Sequence, residues 1–69
     1  MKAIEKFFNY VSADETPEDI IRRSNRREPR SVEELAQFHA SQARREGFRV
    51  SNAEMEQYIE DIFANKHTA

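Results

Sequence analysis

Sixty-nine residues allow one domain, and a chain this short buries a smaller share of its surface than a mid-sized one, leaving room for a modest core and no deep pocket. Charged residues of both signs make up 35% of the chain at a formal net charge of −2, which suits a soluble protein and argues against a general polyanion binder. Zero cysteine excludes a disulfide framework and fits a reducing, cytoplasmic setting, while Met1-Lys2-Ala3-Ile4-Glu5 is too interrupted by charge to open a signal peptide or a membrane span.

From Lys2 to Val11 the apolar residues Ile4, Phe7, Phe8 and Val11 fall at i, i+3, i+4 and i+7, the spacing that lines one face of a helix. This first helix is expected to end between Ser12 and Glu15. Thr16-Pro17-Glu18-Asp19 then reads as an N-cap, a proline at the first helical position and two acids in the first turn. The helix it starts carries Ile20 and Ile21 and is expected to fail by about Asn25, because Pro29 pushes its predecessor out of helical geometry.

Ser31-Val32-Glu33-Glu34 is a capping box, with the serine oxygen placed to accept from the amide of Glu34 and the Glu34 carboxylate placed to accept from the amide of Ser31. The third helix begins there and runs through Leu35, Ala36, Phe38, His39 and Ala43. It stops at Gly47, the one glycine in the chain, where a left-handed cap is needed and where Phe48 folds back on the helix end. A second box, Ser51-Asn52-Ala53-Glu54, is flanked by Val50 and Met55 as a hydrophobic staple and opens a fourth helix with Tyr58, Ile59, Ile62 and Phe63 on one face. The expected fold is therefore all-α, a small bundle of three to four short helices over residues 1–64 with its core drawn from the large apolar residues. Residues 65–69 read as a flexible C-terminal tail.

No catalytic constellation emerges. There is no cysteine nucleophile, and no serine sits in a glycine-flanked elbow; Ser31 and Ser51 are caps. His39 and His67 are the only histidines, one in a helix and one in the tail, without the partner spacing that a zinc site needs. His39 reads as the edge of the core face of helix three, and His67 as solvated. Glu54, Glu56, Glu60 and Asp61 form an exposed acidic face rather than an acid/base pair. A single glycine cannot build a phosphate loop, so no cofactor and no metal is expected.

The strongest anomaly is Arg22-Arg23-Ser24-Asn25-Arg26-Arg27-Glu28-Pro29-Arg30, with five arginines in nine positions. Arginine's planar fork of donors suits a carboxylate or phosphate. The plain alternative is a solvated linker whose charges pair with Glu18, Asp19, Glu33 and Glu34, pairs that contribute little when exposed. Arg22, Arg23, Arg26, Arg27 and Arg30, with Phe38 and Phe48, are the candidate partner-binding residues. Ala43 followed by Gly47 between two helices also has the spacing of a helix-turn-helix corner. The helix that would enter a groove is the acidic one, however, and docking on nucleic acid relies on neutralising phosphates, so a nucleic-acid partner is disfavoured through this corner, while the arginine segment leaves minor nucleic-acid binding as a third expectation.

Taken together, Ile4-Glu5-Lys6-Phe7-Phe8, Glu33-Glu34-Leu35-Ala36, Ala43 through Gly47-Phe48, Val50-Ser51 and the helix from Glu54 to Ile59 resemble a known leader-peptide family. It is the family of leaders first named for nitrogen-fixation gene clusters, related to the nitrile-hydratase-like leaders of ribosomally made, enzyme-modified peptides. The resemblance spans roughly residues 4 to 63. Such leaders usually run on into a core rich in Cys, Ser or Thr, whereas Asn65-Lys66-His67-Thr68-Ala69 carries no such core, and the arginine segment is unusual for the family.

The resemblance implies a non-catalytic leader or scaffold whose folded part docks on a peptide-modifying enzyme and whose C-terminal Ala69 is the candidate modification site. A second expectation, from another class, is a small phage-type inhibitor or adaptor bound to a larger complex, motivated by small size, the acidic fourth helix and the arginine segment. Both require a protein partner and no membrane, with the chain acting as a monomer or homodimer.

Overall fold

The computed structural model describes residues 2–64, which form four helices: α1 (Ala3–Val11), α2 (Pro17–Arg27), α3 (Val32–Arg45) and α4 (Asn52–Ala64). No strand occurs among the described residues, and the architecture is the small all-α bundle expected. The tail, with His67 and Ala69, lies outside the described residues.

Each helix starts where its local chemistry requires. At α1 the Glu5 carboxylate accepts from the Lys2 amide at 3.1 Å. At α2 the Thr16 hydroxyl accepts from the Asp19 amide at 3.1 Å, with Pro17 first in the helix. The two serine boxes close in both directions: Ser31 with Glu34 at 3.1 Å each way, and Ser51 with Glu54 likewise. Caps of this kind satisfy amides that have no partner inside the helix.

The end of α2 corrects the sequence reading, because the helix passes Asn25 and continues to Arg27. Proline restricts only the residue directly before it, so Pro29 forces Glu28 into an extended cap (φ −146°, ψ 94°) and leaves Arg26 and Arg27 helical. The Glu28 amide still donates to the Ser24 carbonyl at 3.1 Å. Four of the five arginines therefore ride on a helix; Arg30 alone follows it. The Asn25 side chain, instead of ending the helix, accepts from the Arg30 amide at 2.9 Å and holds the short turn against α2.

The α3–α4 corner is closed by Gly47 at φ +92°. The Phe48 amide donates to the Ala43 carbonyl at 2.9 Å and the Gly47 amide to the Arg44 carbonyl at 3.1 Å, the paired bonds of a Schellman end. Arg44 then ties the turn, its Nη1 donating to the Val50 carbonyl at 2.9 Å and to Asn52 Oδ1 at 3.1 Å. Val50 and Met55, on either side of the cap, are both buried as a staple demands.

α3 and α4 form the most extensive helix pair. Reading the core from large apolar residues passed over the reason: Ala36, Ala40 and Ala43 form a small-residue stripe, fully buried beside Leu35, that brings helix backbones close. α1 packs across this pair. Its Phe8 ring stacks on Tyr58 of α4 (centroids 6.0 Å, planes 15° apart) and meets His39 of α3 at 5.8 Å, while Phe7 meets Phe48 edge-on at 5.7 Å. Ile20 and Ile21 of α2 complete the core with Met55 and Ile59. Each such side chain stabilises by about 1.5–3 kcal/mol when fully buried.

Several expected core residues are not enclosed. Val11 is 47% exposed: it is the last residue of α1 and lines an open cleft with Tyr10 and Glu46. Val32, Phe48, Tyr58, Ile62 and Phe63 are half-buried, packed against the core from outside it, and Phe38 is half-buried without joining that packing.

Candidate functional site

Once α2 extends through Arg27, helical phase sorts the arginines. Residues four apart share a face, so Arg23 pairs with Arg27 and Arg22 with Arg26 on a neighbouring face. Arg22 is drawn along its own helix: its Nε donates to Glu18 at 2.8 Å, and its guanidinium lies 5.2 Å from the centroid of Phe63 of α4. Arg23 pairs with Glu15 in the α1–α2 connection. Arg30 pairs with Glu28 at 3.2 Å and covers the Phe38 ring at 4.5 Å. Of the acids expected to neutralise the segment, only Glu18 does so among the described residues; Glu15 and Glu28 take the other pairings. Arg26 and Arg27 make no ion pair among the described residues.

Arg23, Arg27 and Arg30 converge on one groove of about 440 Å³ between the second half of α2, the turn after it, and α3. Ser24 of α2 and Phe38 with His39 of α3 also line it. Arginines supply the rim and Ile20 with Phe38 the apolar part, with Glu28 the one acid in the lining. Such a surface combines charge-assisted donors with apolar contact.

His39 is the unusual member. Rather than marking the edge of the core face it is 4% exposed, wedged between the rings of Phe8 (5.8 Å) and Phe38 (5.0 Å). Burial first, and the nearby Arg30 charge second, lower its pKa from 6.5 to about 4, so the imidazole is neutral near pH 7. Its Nε2 is buried and has no hydrogen-bond partner among the described residues. An unsatisfied buried polar atom is costly, which makes it the feature of this wall that packing alone does not explain.

No family model, no curated protein and no solved structure matches the chain.

The structure thus divides the residues singled out in the sequence. Arg23, Arg27, Arg30 and Phe38 share the groove. Arg22 and Arg26 do not line it, and neither does Phe48, whose ring packs against Phe7 and Tyr10 (5.7 Å each) where α1 crosses the α3–α4 corner. Ser24 and His39 join the site without having been assigned to it, and Asn25 positions the Arg30 turn. The signal for His39 was present in its spacing: with Leu35, Ala36, Ala40 and Ala43 it lies on the stripe that faces inward. Among the described residues no group of three His, Cys, Asp or Glu is placed to hold a metal ion, and no helix is long and apolar enough to cross a membrane. Of the acids of α4, Glu54 serves the Ser51 cap and Asp61 accepts from Gln57 at 3.0 Å.

Proposed function

We propose that this chain is a non-catalytic leader or scaffold peptide, held through its folded domain by a peptide-modifying enzyme that acts on the segment following α4, with Ala69 the position put forward for modification. The observation in support is that the leader-like phrase maps onto one structural unit. Leu35, Ala36 and Ala43 form the inner stripe of α3, Gly47 and Phe48 close its end, and Ser51 with Glu54 starts α4. A well-packed two-helix unit with a recognition surface beside it suits an enzyme that grips a substrate at a distance from the reacting segment.

The test is co-expression of the full chain with the modification enzymes encoded beside its gene, read by intact mass and by copurification. A mass change confined to residues 65–69, together with a stable complex, supports the reading; no mass change and no complex with any neighbouring enzyme removes it. The exposed acids of α4 favour a second reading, a small inhibitor or adaptor that imitates a polyanion to a larger complex. The same copurification separates the two, because the captured partner would then be a nucleic-acid-handling complex and the chain would keep its mass.

A further inference from the structure

We infer that the groove between α2 and α3 is a docking site for an acidic segment of a partner protein, its carboxylate taken by Arg23, Arg27 and Arg30 and its apolar neighbour seated on Phe38. The inference deepens the protein-recognition reading above and rests on it for the identity of the occupant as protein.

Charge complementarity comes first. The groove sets three guanidinium groups against two carboxylates, Glu28 in its lining on Arg30 and Glu15 on Arg23, which leaves one positive charge in excess at Arg27 on a chain whose formal net charge is −2. Arg27 has no ion-pair partner among the described residues, and its planar fork is the natural partner of a carboxylate. Arg30 is already oriented by its stack on Phe38 and by the Asn25 bond to its own amide, so engaging a ligand requires little further ordering.

His39 supplies the second, independent observation. It is nine-tenths buried, stands in the wall of the groove, and its Nε2 lacks a partner among the described residues. Nε2 is itself shielded from solvent, so a polar atom of an occupant would satisfy it only by displacing the side chains that cover it. The apolar part of the lining, Ile20 and Phe38, calls for a ligand with hydrocarbon beside its charge. A bare inorganic anion would leave that surface unused. A long nucleic acid would meet the exposed acids of α4 elsewhere on so small a domain.

The experiment is selection from a random peptide library displayed on phage against the full chain, followed by calorimetric titration with the enriched peptide, its Asp/Glu→Asn/Gln version, and inorganic phosphate. Enriched peptides are expected to carry Asp or Glu beside an apolar residue. Neutralising that acid, or replacing Arg27→Gln in the chain, should weaken binding about tenfold or more, the loss of a charged hydrogen-bonded pair, while Arg26→Gln leaves it unchanged. Chemical shifts in the unmutated chain should move at Ser24, Phe38 and His39, a readout that depends on no variant. The inference is overturned by failure to enrich any peptide, by peptides lacking acids, by equal losses from Arg26→Gln and Arg27→Gln, or by phosphate binding as tightly as the peptide. A chain modified by its enzyme yet indifferent to acidic peptides loses only the groove assignment; one that binds such peptides but is never modified loses only the leader reading.

Discussion

Lowering the pH should destabilise this domain through His39, and replacing that residue should abolish the effect. In the unfolded chain the imidazole titrates near 6.5, whereas in the folded domain burial and Arg30 lower it to about 4. Above the unfolded value both states hold the side chain neutral and it contributes no pH dependence. As the pH falls from 6.5 toward 4 the unfolded chain binds a proton that the folded one does not, so stability declines at up to ~1.36 kcal/mol per pH unit, about 3 kcal/mol across the window. Below that window both states are protonated and no further loss arises from this residue.

For a domain of this size about 3 kcal/mol is a large part of the total stability. Urea unfolding followed by far-UV circular dichroism, from about pH 7 to about pH 4.5, should show the midpoint falling steadily with little change in slope. His39→Leu keeps similar volume, removes the titrating group and deletes the unpartnered Nε2, so the variant should match or exceed the parent at neutral pH and lose much less on acidification. A parent whose midpoint is constant over the window, or a variant that falls as steeply as the parent, would refute the burial argument.

Gly47→Ala should cost about 1–2 kcal/mol although an added Cβ meets nothing within 4 Å, because the penalty lies in the left-handed backbone at φ +92°; a thermal melt lower by several degrees checks it. Ser51→Ala should lose ~1 kcal/mol through the uncapped Glu54 amide, whereas Ser51→Asp or Ser51→Asn should retain most of it, measured by the same melts. Ile21→Ala removes a fully buried side chain and should cost about 2–5 kcal/mol, enough to broaden or abolish cooperative unfolding and to collapse amide dispersion in a nitrogen–proton correlation spectrum. Retention of a sharp transition in that variant would mean that α2 is not integral to the core.

Helix starts were legible because the bonds that make them are local. Thr16 to Asp19, Ser31 to Glu34 and Ser51 to Glu54 each join residues three apart, so composition and spacing suffice to name donor and acceptor. Gly47 was legible for the same reason, its role being set by a backbone angle that other residues resist. The end of α2 lies two residues beyond the sequence expectation, because Pro29 takes Glu28 out of helical geometry and leaves Arg26 and Arg27 in it. Those two residues turn an apparent linker into a helical face and separate Arg23 and Arg27 from Arg22 and Arg26.

Sequence alone therefore determined the helical class, the four starting points, the glycine stop and the concentration of arginine, all properties of short stretches of chain. Tertiary structure alone decided which arginines converge, that Val11 stays half exposed, that Phe48 belongs to the corner rather than the groove, and that His39 is enclosed. Those outcomes depend on which helix faces meet. Contacts such as Phe8 with His39 and Tyr58 join residues distant in the chain, and their geometry follows from packing the whole bundle, with the alanine stripe setting how closely its helices approach.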